Sequence, residues 1–138
     1  MMFSRREALA VGIGTLAATA LPLRALAATE DAIAAFTGGA EVATSGVTLN
    51  APEIAENGNT VPVGVDAPGA VSVMLLAAGN PNPEVCTFNF GPAAGSQAAS
   101  TRIRLAKTQD VIAIAKMADG SFAQASATVK VTIGGCGG

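Results

Sequence analysis

Histidine is missing from this chain altogether, and so are tryptophan and tyrosine. Without an imidazole there is no Ser-His-Asp triad, no Cys-His pair and no His-Glu-x-x-His zinc site. Two cysteines are too few for a four-thiolate zinc site and, with no histidine, for a mixed one. No cofactor and no metal are therefore expected. Charge is scarce as well: 13% of residues are charged and the formal net charge is -2. That balance gives no electrostatic footprint for nucleic acid. What is plentiful is apolar residues, at 50%, and glycine, at 16 positions in a chain of 138 residues. The length is that of one domain.

Residues 1–27, where part of the apolar excess lies, read as an export signal. Ser4, Arg5 and Arg6 precede an apolar run from Ala8 to Leu23, broken by Gly12, Gly14 and Pro22. At about 16 residues the run falls short of the ~20 needed to cross a bilayer. Ala25-Leu26-Ala27 then offers a small-x-small cleavage site. Ser4, Arg5, Arg6 and Leu9 match the twin-arginine signal, whereas Ala8 and Ala10 do not, which leaves general secretory export open. Cleavage after Ala27 removes Arg5, Arg6, Arg24 and Glu7 and leaves a mature chain of about -4. No cysteine follows the cleavage site to carry a lipid, so no membrane anchor is expected in the mature form. The expected compartment is the periplasm, an oxidising one.

The mature chain opens on a short helix. Thr29-Glu30-Asp31 cap it and Gly38-Gly39 stop it, as cap and stop residues of these types do. Short strands follow. Val47 to Leu49 is a brief β run, and Asn57-Gly58 carries a hairpin signal. Thr60 to Val65 puts Val61, Val63 and Val65 on one face, with Pro62 suggesting an edge strand. Val71 to Ala78 is apolar but for Ser72, as suits a central strand. Val85 to Phe90 alternates, with Cys86, Phe88 and Phe90 on one face. Thr101 to Lys107 sets Ile103 and Leu105 opposite Arg102 and Arg104, which read as a solvated face. Val111 to Met117, the turn Ala118-Asp119-Gly120, and Ser121 to Ile133 complete the domain. About seven strands, with turn signals every 8–12 residues and a core of Val, Ile, Leu and Phe, predict an all-β antiparallel sandwich.

The chain ends Gly134-Gly135-Cys136-Gly137-Gly138. Glycine gains nothing from burial and loses much backbone entropy when ordered, so residues 134–138 are expected to form a flexible arm beyond a domain of residues 28–133. Three residues past Ile133 give the sulfur a reach of roughly 10 Å. No basic side chain lies closer in sequence than Lys130, and a terminal carboxylate is expected nearby. An unperturbed thiol of pKa near 8.5 is about 3% thiolate at pH 7, so Cys136 reads as a handle for other proteins rather than a catalyst. For Cys86, a buried inert thiol is the favoured reading and a regulatory disulfide the sharper alternative.

The stretch Val131 to Gly138 resembles the C-terminus of the SoxY family, the sulfur-carrier subunits of the Sox thiosulfate-oxidising system. Ala51 to Gly58, Val61-Pro62-Val63, Asn80-Pro81-Asn82-Pro83 and Ser100 to Arg104 are similar to stretches of the same family. The resemblance implies an immunoglobulin-like fold, a heterodimer with SoxZ, and Cys136 as the covalent attachment site. It implies that a c-type cytochrome partner joins thiosulfate to that thiol, that a hydrolase releases sulfate, and that in some organisms a dehydrogenase oxidises the sulfur left behind. The family is not enzymatic by itself, and electron carriers and metals belong to its partners. Three other classes compete on the residues alone. A thiocarboxylate carrier would use Gly137-Gly138, but needs ATP and so a cytoplasmic site. A periplasmic binding module would close a Cys86–Cys136 disulfide. A thiol oxidoreductase would lack its Cys-x-x-Cys pair and its base.

Overall fold

A computed structural model describes residues 27–133. The helix α1 (27–37) ends where expected. Gly38 and Gly39 take φ of 66° and 84°, values that favour glycine after a helix. The Gly38 amide donates to the Ala34 carbonyl at 2.8 Å. Nine strands follow among the described residues: β1 (Val42–Ala43), β2 (Thr48–Asn50), β3 (Ile54–Ala55), β4 (Val61–Asp66), β5 (Ala70–Ala77), β6 (Glu84–Asn89), β7 (Ala98–Ile103), β8 (Gln109–Met117) and β9 (Phe122–Val131).

They form two sheets. The larger runs β1-β9-β8-β5-β6, with β3 also on β9; the smaller runs β2-β4-β7. The sheets pack face to face as an immunoglobulin-like sandwich, the fold class that strand count and turn spacing predict. The valines of the alternating β4, Val61, Val63 and Val65, are buried together with Ile103 and Leu105. They share one core with Val73, Leu75, Val111, Ala113 and Val129 of the larger sheet. The buried phenylalanine core expected from composition is not there. Phe36, Phe88 and Phe90 are half-buried, and Phe122 alone is buried among the described residues. Valine and alanine fill a thin sandwich without the width a phenyl ring demands.

The apolar run Val73–Ala77 of β5 has two separate causes. Val73, Leu75 and Ala77 belong to the core between the sheets, while Met74 and Leu76 lie beneath α1, against Ala32, Ile33 and Phe36. Phe36 also meets Phe122 edge-on, with ring centroids 5.9 Å apart, a favoured aromatic geometry. The helix thus converts a sheet face that would be wet into a second, smaller core.

Several local expectations are corrected. The helix is already under way at residue 27, so Thr29-Glu30-Asp31 lie inside it rather than capping it. The two extra strands, β1 and β3, are only two residues long and lie parallel to β9, so no local pattern marks them. Asn57-Gly58 turns the chain without making a hairpin, because β3 pairs with β9 while β4 pairs with β2 and β7. β4 is the middle strand of its sheet, not an edge. Pro62 is tolerated because β2 has already ended at the Asn50–Gly64 pair, which leaves one side of Pro62 without a ladder to break. The strand expected at 101–107 spans Ala98–Ile103, and the chain beyond it is a loop.

Candidate functional site

Cys136 and its glycines Gly134, Gly135, Gly137 and Gly138 lie outside the described residues, as do Arg5 and Arg6. What is described is the ground from which the C-terminal segment departs. Beyond β9 the chain continues through Thr132 to Ile133, and its backbone is held at several points by segments distant in sequence. The Lys130 amide donates to the Glu53 carbonyl at 2.9 Å, and the Thr132 amide to the Ala55 carbonyl at 3.0 Å. The Gly58 amide donates to the Ile133 carbonyl at 2.8 Å, and the Leu105 amide to the Gly58 carbonyl at 2.7 Å. On the other flank Thr108 Oγ1 accepts from the Val131 amide at 2.9 Å. Segment 53–58 is therefore a strap along residues 130–133, and loop 104–108 closes the other side.

That loop is itself fixed from below. Asn80, 6% exposed, donates to the Arg104 carbonyl at 2.8 Å and accepts from the Ala106 amide at 3.0 Å and from Gln109 Nε2 at 2.8 Å. Gln109 Oε1 accepts from the Gly79 amide at 2.9 Å. A Cβ on Gly79 would stand 2.8 Å from the Gln109 Cβ, so glycine permits this approach where a larger residue would force a shift. Asn80 and Gln109 are the supporting positions that reading the sequence missed. Asn-Pro-Asn-Pro reads as a loop, and nothing local says that its first residue is a buried three-bond anchor. The signal, once seen, is a polar residue followed closely by two prolines that stiffen its approach.

The two arginines of the β7 end, Arg102 and Arg104, are exposed while Ile103 and Leu105 are buried, as the alternation predicts. Ile133 departs from expectation. It continues the row of Val129 and Val131, yet it is 67% exposed, because the sandwich has ended beneath it.

Cys86 is a free thiol on β6 and is half-buried rather than buried. Loss of water around it pushes its pKa up, since burial disfavours the charged thiolate. Its thiolate is thereby disfavoured, while its half-buried place departs from the buried thiol expected. It is also remote from the chain's end. Register runs Cys86–Leu75–Ala113–Ala125 across the sheet. Three strand spacings across and the rise from Ala125 to Ile133 along the chain put about 30 Å between Cys86 and Ile133. An arm reaching ~10 Å and a disulfide spanning at most ~7 Å between Cα atoms do not close that gap. That separation argues against a Cys86–Cys136 bond within one chain, though Cys136 itself lies outside the described residues.

Among the described residues there is no cluster of three potential metal ligands, and no helix is long and apolar enough to cross a membrane. Comparison with protein-family models matches residues 33–136 to "Sulfur oxidation protein SoxY". The chain belongs to the SoxY family. The match runs from within α1 through Cys136 itself. Among solved structures, the sulfur carrier protein SoxY from Chlorobium limicola f thiosulfatophilum is 36% identical, with a TM-score of 0.67, covering 78% of this chain and 98% of that one. A superoxide reductase (neelaredoxin) from Ignicoccus hospitalis is 21% identical at TM-score 0.55, covering 64% of this chain and 81% of that one; this likeness concerns the fold alone. The search of curated proteins returns no match. In this chain the strapped end at Ile133 lies three residues before Cys136, the last residue the family match covers.

Proposed function

We propose that this chain is a periplasmic covalent sulfur carrier that holds its cargo on Cys136 and presents it to partner enzymes. The observation that carries the reading is the family match extending through Cys136, joined to the fixed root from which that residue is offered. The root sets direction; the glycines supply reach.

The chemistry divides accordingly. Loading joins the Cys136 sulfur to the terminal sulfur of thiosulfate. The thiol gives up its proton, and the two electrons released as the S–S bond forms pass to a c-type cytochrome partner. Hydrolysis then cleaves the bond between sulfur and the sulfonate group, releasing sulfate and leaving a persulfide, which a dehydrogenase partner oxidises further. This chain supplies no imidazole base and no oxidant, so an idle thiol stays protonated between visits. A SoxZ subunit completes the carrier as a heterodimer. The alternative, a binding module closed by a Cys86–Cys136 disulfide, is disfavoured by the separation of about 30 Å between Cys86 and Ile133.

Intact-mass analysis after incubation with thiosulfate and the oxidised partner cytochrome tests the reading. The expected product carries one added S2O3 unit, absent in Cys136→Ser and retained in Cys86→Ser. No adduct, or an adduct on Cys86, overturns it.

A further inference from the structure

The described chain has five basic residues, Arg102, Arg104, Lys107, Lys116 and Lys130, and none of them makes an ion pair among the described residues. Lys107 and Lys130 also lie near the root, but only Arg102 and Arg104 carry a guanidinium there. Arg104 immediately precedes Leu105, whose amide bonds Gly58, whose amide in turn bonds the Ile133 carbonyl. Two hydrogen bonds therefore separate the arm root from the residue next to Arg104. Arg102 borders a shallow groove on the outer face of the small sheet, lined also by Asn50, Pro52, Pro62, Ser100 and Thr101, in which it is the only charged residue. A second groove, lined by Pro52, Ile54, Ala55, Asn57 and Pro62, adjoins it beside the strap. The two share Pro52 and Pro62, so they adjoin between the strap and Arg102. Glu56 lines the second groove, and Glu53 sits exposed on the strap.

We infer that Arg104 and Arg102 form a dock for the arm, residues 134–138, when Cys136 carries an anionic thiosulfonate. The inference rests on the carrier reading above and adds a resting place for the loaded state. Reach permits it: ~10 Å of arm, extended by the adduct and met by an arginine side chain, covers the two-bond span from Ile133 to Arg104. Charge selects it: thiol loading turns a neutral group into an anion, while Glu56 and Glu53 at the root discourage an anion from settling there. The planar guanidinium fork matches the oxygens of a sulfonate, as it does those of carboxylate and phosphate. The unloaded thiol is neutral and the thiosulfonate is not, so docking is expected to strengthen with the cargo.

The test needs no partner enzyme. In the Cys86→Ser chain, tetrathionate loads Cys136 directly. The thiolate attacks a central sulfur, the central S–S bond breaks, and thiosulfate leaves with the electron pair. The same chain capped with iodoacetamide carries a neutral group instead. Arginine Nε–H signals by NMR are expected to move for Arg104 and Arg102 with the thiosulfonate and not with the neutral cap. Removal of the adduct is followed with an uncharged reductant, tris(3-hydroxypropyl)phosphine. It takes an oxygen from water to become its oxide, and the free thiol and thiosulfate are released. In Arg102→Gln/Arg104→Gln that removal is expected to speed up about two- to five-fold, as loss of an exposed ion pair predicts, and to lose its salt dependence. Arginine signals that respond alike to both caps, or an unchanged removal rate in the double variant, overturn the dock. Should tetrathionate-loaded chain show the shifts while the cytochrome places no thiosulfate on Cys136, the carrier reading fails and the dock stands. Cytochrome loading without arginine shifts has the reverse meaning: the carrier reading stands and the dock fails.

Discussion

The two ends of β9 are held by opposite means. At its start a tight turn joins it to β8, beside a two-residue parallel pairing with β1. Gly120 takes φ of 87°, the Met117 amide bonds the Ser121 carbonyl at 2.8 Å, and Asp119 accepts from both the amide and the hydroxyl of Ser121. All of these partners lie between Met117 and Ser121. At its far end the partners of Lys130, Val131, Thr132 and Ile133 are Glu53, Thr108, Ala55 and Gly58. Their separations along the chain run from 23 residues, for Thr108 and Val131, to 77, for Ala55 and Thr132. A local turn forms cheaply because little loop entropy is lost, whereas a non-local clasp forms only after the sandwich has closed around it. Placing the non-local clasp at residues 130–133 makes the point from which the C-terminal segment departs a property of the whole fold. Fraying, the default for chain ends, is resisted at this root.

The largest expected break in this contrast is Asn80→Ala. It strips partners from the Arg104 carbonyl, the Ala106 amide and Gln109 Nε2 in a buried setting. At about 1–3 kcal/mol for an orphaned buried group, partly relieved by water, the loss is about 3 kcal/mol. Urea denaturation reads that number. Hydrogen exchange should show the Leu105 and Val131 amides opening first while the Met117 amide at the turn keeps its protection. Equal loosening at both ends would show that the clasp is not a separate unit.

Gly79→Ala comes next. Its Cβ would meet the Gln109 Cβ at 2.8 Å, so Gln109 must shift and strain its bond to Asn80. Overpacking of this kind costs about 2 kcal/mol, again read by urea denaturation. Gly91→Ala, where a Cβ meets nothing within 4 Å, is the control and should be close to neutral.

How much of this was legible beforehand follows the same division between local and distant. Features written into neighbouring residues could be read: the end of α1 at Gly38-Gly39, the buried valines of β4, the outward Arg102 and Arg104, and the turn at Asp119-Gly120. What could not be read depends on partners far along the chain. The parallel pairing of β3 with β9 needs Ile54 beside Lys130, and no periodicity encodes that. The hairpin signal at Asn57-Gly58 was overridden because its flanking strands found better partners in different sheets. The buried role of Asn80 depends on loop 104–109 arriving above it. For the site, the thiol and its glycines were visible as a pattern, while the strap along residues 130–133 was not.

The smallest effect sharpens the comparison from the local end. Hydrogen bonds from the Ser121 hydroxyl and amide hold the Asp119 carboxyl below its ordinary range, because they favour the charged form. A lowered folded pKa means that the ionised form stabilises the fold. That contribution is complete above the pKa of an unfolded aspartate and fades as pH falls through the lower folded value. Asp119 is fully exposed, so solvent screens the contribution and its size stays small. Two-dimensional NMR titration should place the Asp119 midpoint below that of an unfolded aspartate, and Ser121→Ala should move it back part of the way. Asp119→Ala should trim stability slightly at neutral pH and leave it unchanged once the solution is acidic enough to protonate the native carboxyl. In the same variant the amides of Leu105 and Val131 should keep their exchange rates. A turn that could be loosened without disturbing the far clasp would confirm that the root of the arm owes nothing to the local end of its own strand.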